Sequence, residues 1–328
     1  MPNPCTVYVG TVGQSIWRSL DGGINFTRAS SGLHSESDIR ALLFDPRDPA
    51  RLLLGTETGL FASHNGADRW ERVPGPLDGR QIWSLARDPR NPEIVLAGTC
   101  PAGVYRSRDS GRTWEVLDAG MPGACVNGAP LTPRVTCLLI DSVDGALFAG
   151  VEIGGVRRSR DGGSSWDALS EGLSSQDIHG LASVWNGRRT LLATTNNDVN
   201  RSIDDGDTWT PLEVGDTFPW PYTRACGMPA DDPPTVWVGA GNGPPGNQGA
   251  LYRTRDLGAT WERLPLPQVA NSTIWNFAFH ASDPKRIYVS SISGQLYQTL
   301  DGGESWTKLP MEFGEARTLA WTPPETIE

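Results

Sequence analysis

The sequence predicts an all-β protein: a seven-bladed β-propeller of four-stranded antiparallel blades, closed by pairing the N- and C-terminal strands in one shared blade. Three observations lead to this prediction. A short motif recurs seven times at intervals of 43 to 52 residues, the length of one propeller blade. Apolar runs bounded by Gly, Pro and Asp precede each copy, as strands do. The two ends of the chain supply complementary parts of one repeat.

The recurring motif has the pattern Ser/Thr-x-Asp-x-Gly-x-Ser/Thr-Trp. The hydroxyl and the carboxylate suit hydrogen bonds from backbone N–H groups inside a tight turn, and the Gly permits a positive φ. We therefore expect the motif carboxylates to hold hairpins together rather than to form a catalytic or metal array. The second copy departs from the pattern at Asn65 and Ala67, and the first copy ends in Phe26. The seven copies begin at Ser19, Ser63, Ser107, Ser159, Ser202, Thr254 and Thr299.

This motif resembles the Asp-box, or BNR, repeat, and the resemblance covers nearly the whole chain. Proteins with this repeat include sialidase-like, xyloglucanase-like and sortilin-type propellers and photosystem II assembly factors. The resemblance thus implies the fold but leaves several functions open. The sequence lacks the Phe/Tyr-Arg-Ile-Pro segment that sialidases carry early in the fold, so we do not expect sialidase activity.

Each copy of the motif lies within a constant frame of apolar runs. In the second repeat, strands A to D of one blade are expected at residues 39–46, 51–56, 59–63 and 71–73. Residues 6–11 match strand B and have no strand A before them, whereas residues 316–324 match strand A alone. One blade is therefore shared between the termini, which removes the open sheet edges. We expect a single propeller domain over residues 1–328.

Strands alternate in direction within a blade, so the start of strand A and the B–C turn lie on one face, here called the channel mouth. Arg side chains there suit carboxylate, sulfate or phosphate, and Trp faces suit sugar rings, aromatics or cations. We predict ligand binding by Arg40, Trp83, Arg224, Trp275 and Arg317. The alternative is that these side chains only plug the channel, each Arg being paired with an acid. The aligned strand-A residues, one per blade, are Arg40, Trp83, Thr136, His179, Arg224, Trp275 and Arg317.

The aligned B–C turns carry Glu57, Cys100 and Glu152. The two Glu either pair with the Arg residues or act with His179 as general acid and base, since glycoside hydrolysis uses two carboxylates in different environments. Cys100 as a nucleophile with His179 as its base is a further alternative. A metal site of His34 and His179 with one of these Glu residues is also open, although no metal ligand is assigned.

Three longer insertions fall on the channel mouth. They are residues 120–134 with Cys125, residues 218–222 with Trp220, and residues 241–249. Extra length on one face often shapes a pocket, so we expect a pocket rim there and add Trp220 to the predicted ligand-binding residues. The alternative is variation in loops that tolerate it.

Composition excludes several classes of partner. The net charge of −10 argues against nucleic acid, which requires clustered Lys and Arg. No apolar run reaches 18 residues, and the N-terminus shows no secretory signal, so no membrane association is expected. Five Cys without a Cys-x-x-Cys pair favour reduced thiols and a cytoplasmic location. We expect a monomer without a cofactor.

Two functions from different classes remain open. The first is binding of a small-molecule, glycan or peptide ligand that is anionic, aromatic or sugar-like at the channel mouth. The second is a hydrolase or lyase, glycosidase-like, that acts on an acidic glycan or small carboxylate. In that case Glu57, Glu152 or His179 would transfer protons.

Overall fold

The computed structural model describes residues 5–121, 131–231 and 233–323. These residues form seven four-stranded antiparallel sheets, numbered here as blades 1 to 7, and adjacent innermost strands contact one another in a closed ring. This confirms the predicted all-β seven-bladed propeller. Within each of blades 2 to 7, strands A to D follow chain order from the channel outwards.

Blades 2 to 4 contain β4 to β15. The strands of blade 2 are β4 (Ile39–Asp45), β5 (Asp48–Thr56), β6 (Leu60–Ser63) and β7 (Glu71–Arg72). Blade 3 has β8 (Gln81–Arg87), β9 (Val95–Cys100), β10 (Val104–Ser107) and β11 (Glu115–Leu117). Blade 4 has β12 (Arg134–Ile140), β13 (Leu147–Glu152), β14 (Gly155–Ser159) and β15 (Asp167–Leu169).

Blades 5 to 7 contain β16 to β27. The strands of blade 5 are β16 (Ile178–Trp185), β17 (Arg189–Thr195), β18 (Val199–Ser202) and β19 (Thr210–Pro211). Blade 6 has β20 (Tyr222–Gly227), β21 (Val236–Gly241), β22 (Gly249–Thr254) and β23 (Glu262–Arg263). Blade 7 has β24 (Ile274–Ala278), β25 (Ile287–Ser291), β26 (Leu296–Thr299) and β27 (Thr307–Lys308).

Blade 1 closes the ring with strands from both ends of the chain. Its innermost strand is β28 (Ala316–Thr322), which pairs antiparallel with β1 (Thr6–Thr11). The blade continues outwards through β2 (Ile16–Ser19) and β3 (Thr27–Arg28). The described residues also contain a 3₁₀ turn at Val214–Asp216, and no helix among them has the length and hydropathy to cross a membrane.

The hydrophobic core is divided into seven layers, each between two adjacent blades. The B strands are buried on both faces, so they are continuous apolar runs, whereas the short D strands at the rim are largely exposed. Blades approach most closely near the channel, where Gly occupies strand B. A Cβ added at Gly55 would lie 2.8 Å from the Ile82 side chain of the next blade, which explains the Gly before Thr in that strand.

The motif hairpins are held by their own side chains. In the first copy, the Ser19 hydroxyl accepts the Gly23 N–H at 2.8 Å and donates to the Asp21 carboxylate at 2.7 Å. Asp21 also accepts the Asn25 N–H at 2.9 Å. The second copy keeps the same turn despite its departures. The Asn65 side-chain oxygen replaces the carboxylate, and Ala67 takes the Gly position at φ 72°.

A second set of hydrogen bonds joins neighbouring blades. The fourth residue of the motif is left-handed, and in five of the seven copies its carbonyl accepts a guanidinium N–H from strand C of the preceding blade. Arg158 thus donates to the Asp205 carbonyl at 2.7 Å, and Arg253 donates to the Gly302 carbonyl at 2.8 Å. The same contact joins Arg18 to Gly66, Arg106 to Gly162, and Arg201 to Leu257. These interblade contacts make five of the hairpins part of two blades.

Candidate functional site at the channel mouth

The innermost strand of every blade carries a β-bulge at its mouth end. In β4 the register shifts between Ile39 and Ala41, so that Arg40 has no partner in the ladder. The other six inner strands shift at the equivalent place. A bulge redirects a side chain out of the regular alternation. All seven predicted strand-A residues line one cavity of about 360 Å³: Arg40, Trp83, Thr136, His179, Arg224, Trp275 and Arg317.

The two Trp residues of this ring are stacked between guanidinium groups. The Arg40 and Arg134 guanidinium carbons each lie 4.4 Å from the Trp83 ring centroid. Arg224 lies 4.2 Å and Arg317 4.9 Å from the Trp275 centroid. Such stacks hold each guanidinium plane in place by cation–π attraction. Arg134 is a fourth mouth arginine that sequence reasoning did not single out.

A second ring, also missed from the sequence, lies two residues before each bulge. Arg40 is paired with Asp38 at 2.9 Å, and Arg317 forms an ion pair with Glu315. The Trp83 indole N–H donates to Gln81 at 3.2 Å. The i−2 spacing along strand A is the signal that could have identified this ring. Its members are Asp38, Gln81, Arg134, Asp177, Tyr222, Thr273 and Glu315.

Glu57 and Glu152 lie at the mouth, but neither is paired with Arg40 or Arg317. Glu57 accepts the Asp38 backbone N–H at 2.9 Å. Glu152 contacts the Arg134 Nε at 2.8 Å. The acids that pair with the ring arginines thus come from the same strand rather than from the B–C turns.

Arg224 differs from the other ring arginines. It is buried, and no carboxylate among the described residues forms an ion pair with it. Burial lowers the pKa of the neighbouring Arg317; Glu315 opposes this effect, and the charges of Arg224 and Arg40 add to it. Arg224 therefore lacks the direct ion pair that orients Arg40 and Arg317.

His179 has a defined tautomer. Its Nδ1 lies 2.7 Å from the Thr223 carbonyl oxygen, which can only accept, so Nδ1 carries a proton. Its Nε2 faces Asp177 Oδ1 at 3.5 Å. Burial, with the Arg224 charge next, lowers the pKa of His179. Burial opposes ionisation of Asp177, but His179, Arg224 and Arg134 outweigh it and lower that carboxyl pKa. A neutral imidazole thus lies beside an ionised carboxylate.

Cys100 does not have the surroundings of an activated nucleophile. Burial raises the pKa of its thiol, whereas reactive cysteines have a lowered pKa. The thiol lies 4.0 Å from the Thr132 carbonyl. Cys125 lies outside the described residues.

The insertions differ in what they contribute. Pro244 and Pro245 of the third insertion line a second cavity of about 520 Å³ that shares Trp275 and Arg317 with the channel. Trp220 of the second insertion packs, partly buried, against the core cluster that contains Val214 and Phe218, and it is not among the residues lining the channel cavity. The first insertion lies largely outside the described residues.

Seven four-stranded sheets around a lined channel define the class of seven-bladed β-propellers, and comparison with known proteins agrees with this class. No protein-family model matches the sequence. The chain is 24% identical to a probable oligoxyloglucan-reducing end-specific xyloglucanase of Neosartorya fischeri, over 68% of this chain and 33% of the relative. It is 25% identical to a xyloglucanase of Paenibacillus sp., over 79% of this chain and 24% of that relative. It is 23% identical to the photosystem II assembly lipoprotein Ycf48 of Synechococcus sp., over 79% of this chain and 72% of that relative.

Solved structures show the same fold. The GH74 enzyme of Niastella koreensis superposes with a TM-score of 0.64 at 17% identity, covering 85% of this chain and 45% of that one. Ycf48 bound to D1 peptide superposes with a TM-score of 0.56 at 16% identity, covering 83% of this chain and 82% of that one. The chain spans a third or less of the length of the Neosartorya and Paenibacillus xyloglucanases. Its relatives thus include both glycoside hydrolases and an assembly protein.

Proposed function

We propose that the channel mouth binds an anionic ligand that also presents an aromatic or sugar ring, as a small molecule, a glycan or a peptide. Arg224 carries this proposal, because it is a buried guanidinium with no ion-pair partner among the described residues. It faces a cavity that Arg40 and Arg317 also line. Guanidinium forks bind carboxylate, sulfate and phosphate through two parallel hydrogen bonds. The second cavity beside Trp275 offers room for the remainder of the ligand. We further propose that the seven hairpin motifs are Asp boxes, on the strength of their shared turn geometry.

Arg40 and Arg317 contribute differently from Arg224. Each already has an acid two residues earlier on its own strand, so each is oriented by that acid and presents its remaining donors to the channel. Trp83 and Trp275 hold the planes of these guanidiniums and offer aromatic faces. An anion would therefore be held by Arg224 and positioned by the other two.

Replacement of Arg224 by Ala tests the proposal. Wild-type protein is titrated by calorimetry and thermal shift with inorganic phosphate, small carboxylates and sulfated sugars. One or more of these anions is expected to bind. Arg224→Ala is expected to weaken binding about 10- to 100-fold, since a hydrogen bond to a charged group contributes roughly 1.5–3 kcal/mol. Arg317→Ala should also weaken binding of the same anion.

The matched control is Arg28→Ala, which removes an exposed arginine that stacks on Trp17 at 5.2 Å, away from the cavity. It should leave anion binding unchanged. No thermal shift with any of these anions, or equal binding by wild type and Arg224→Ala, would contradict the proposal.

The second candidate function is glycoside hydrolysis of an acidic glycan. It is favoured by the carboxylates of Glu152 and Asp177 beside His179 and by relatives that are xyloglucanases. Glu152 with His179 would then transfer protons at the reacting bond, while Glu57 is already engaged by the Asp38 N–H. Wild type would release reducing ends from xyloglucan or acidic oligosaccharides. Glu152→Gln would lower the rate by at least about 100-fold.

Glu115→Gln provides the control for that assay, because Glu115 is also paired with an arginine, Arg106, but on the outer strand. Its rate should equal that of wild type. Failure of wild type to release reducing ends from the whole panel would exclude this second function while leaving the anion-binding proposal intact.

A further inference from the structure

Three side chains with ligand atoms for a metal converge at the rim of the channel. Glu152 ends strand β13 of blade 4, Asp177 immediately precedes β16 of blade 5, and His179 occupies the bulge of β16. One ligand atom from each lies within 4.8 Å of the others. The group includes neither His34 nor Glu57, which the sequence left open as partners of His179. Two neighbouring blades thus bring together one imidazole and two carboxylates.

His179 is oriented as a metal-binding histidine would be. Its side chain is 1% exposed, and its Nδ1–H donates to the Thr223 carbonyl at 2.7 Å. The lone pair of Nε2 therefore faces the two acids. Donation of the other ring N–H to a backbone carbonyl is the usual way in which proteins fix a ligating imidazole. The histidine is thus prepared to bind through Nε2 without rearrangement.

The facing Asp177 oxygen is not hydrogen-bonded to this nitrogen. Asp177 Oδ1 is a buried atom that receives no hydrogen bond, whereas the buried Glu152 Oε2 lies 2.8 Å from Arg134 Nε in an ion pair. The Nε2 to Oδ1 distance of 3.5 Å exceeds a normal hydrogen bond. One imidazole nitrogen and two carboxylates thus converge on one space, and Asp177 Oδ1 has no hydrogen-bond partner there, an arrangement that a cation satisfies.

The surrounding charges restrict which cation fits. The two carboxylates, Glu152 and Asp177, have two guanidiniums nearby. Arg134 contacts Glu152 at 2.8 Å, and the charge of Arg224 acts on His179. The site is therefore close to neutral and attracts hard cations such as Mg²⁺ or Ca²⁺ weakly. Those ions also prefer all-oxygen ligands, whereas imidazole with carboxylates suits Zn²⁺ and its neighbours in the first transition series.

We propose that Glu152, Asp177 and His179 bind one divalent transition-metal ion of the zinc type. With three protein ligands, the ion keeps an exchangeable coordination position on the side of the channel cavity. Arg134 holds Glu152 in place as an outer partner. This site is independent of the anion-binding proposal, because Arg224 and Arg317 do not bind the metal.

Metal titration of the full chain tests the site. Chelator-treated protein is titrated with Zn²⁺ by calorimetry and with Co²⁺ by visible absorption. Wild type is expected to bind one ion per chain. His179→Gln and Asp177→Asn are each expected to weaken binding by at least the roughly 10- to 100-fold that loss of an outer partner causes. Thermal unfolding of each metal-free variant establishes that it is folded.

The matched control is Asp38→Asn, which changes the acid at the equivalent position of blade 2, where Arg40 stands in place of the histidine. It should bind Zn²⁺ as wild type does. Cys100→Ser serves as a second control, because Cys100 lies on the same face. No saturable binding to wild type, equal affinity in folded His179→Gln, or a sulfur-to-cobalt charge-transfer band would each overturn the proposal.

Discussion

One bulged residue in each inner strand contributes its side chain to the lining of the channel. The bulge occurs at the same place in all seven blades, yet it carries Arg, Trp, Thr or His. Because the bulged residue is outside the hydrogen-bonded ladder, its side chain is free of the pairing that constrains its neighbours. The chemistry of the mouth can therefore vary by single substitutions while the blades stay the same.

At this scale, His179 should make stability depend on pH. Its folded-state pKa is lowered below 6.5, mainly by burial, so the unfolded chain binds a proton more readily. Stability is then expected to fall as pH drops below about 6.5, by up to about 1.4 kcal/mol per pH unit. The fall should stop once pH passes the folded-state value. Chemical denaturation of chelator-treated protein between pH 8 and 5 measures this.

His179→Gln should remove that part of the pH dependence. His280 also has a pKa lowered by burial, so the comparison between wild type and His179→Gln isolates the contribution of the channel residue. Parallel stability curves for the two proteins would contradict the assignment of a buried, neutral His179.

At the scale of elements, the motif hairpins have two roles. Their own side chains fix the turn, and in five copies the left-handed fourth residue offers its carbonyl to an arginine of the preceding blade. Arg158 is 4% exposed in its side chain and donates to the Asp205 carbonyl at 2.7 Å and to the Asp207 carboxylate at 2.9 Å. Strand C of one blade is thereby tied to the hairpin of the next, beyond the apolar contacts between sheets.

Arg158→Ala should therefore destabilise the protein by about 1.5–3 kcal/mol, the cost of losing hydrogen bonds to a charged group. Arg160 is the control on the same segment. Its side chain is 54% exposed and reaches Asp205 at 3.3 Å, so Arg160→Ala should cost no more than about 1 kcal/mol. Urea unfolding of both variants provides the measurement. Equal effects would show that the contact between blades does not stabilise the fold.

At the scale of the whole molecule, the ring depends on the seam in blade 1. Leu319 and Trp321 of β28 are buried in the layer between blades 7 and 1, and β28 covers the inner edge of β1. Without β28, that layer would be exposed and β1 would present an unpaired edge, which favours association with other chains.

Truncation after Glu315 should therefore abolish the folded monomer. The expected product is unfolded or self-associated, because a single buried Trp already contributes about 3–5 kcal/mol of the 5–15 kcal/mol typical of a domain. Near-UV circular dichroism and light scattering distinguish these outcomes. Truncation after Pro323 keeps all of β28 and should leave the melting temperature unchanged. A cooperative, monomeric product of the shorter chain would refute the role of the seam.

Much of the fold was predictable because it repeats. Seven copies of one motif define the blade length, and the partial repeats at residues 6–11 and 316–324 predicted the seam. The ring of Arg40, Trp83, His179 and their equivalents followed from aligning the blades. Periodicity places residues within a blade accurately, since each copy repeats the same local turn and strand geometry.

The partners of those ring residues were not predictable in the same way. Asp38 and Glu315 pair with their own strand's arginines, and Arg134 joins the stack on Trp83. Trp220 packs against the core cluster instead of lining the channel cavity. These outcomes depend on distances between blades and on side-chain directions after a bulge, which no linear pattern encodes.

The sequence by itself determined the architecture: the number of blades, the closure of the ring and one residue per blade at the channel. These follow from local hydrogen bonding and from a repeat that must bury its faces against its neighbours. Only the tertiary structure decided which charges compensate one another at the mouth. It left Arg224 without an ion-pair partner among the described residues and brought Glu152 and Asp177 to His179. The physical reason is that such groupings arise between blades, where the closed ring brings together residues that are distant in sequence.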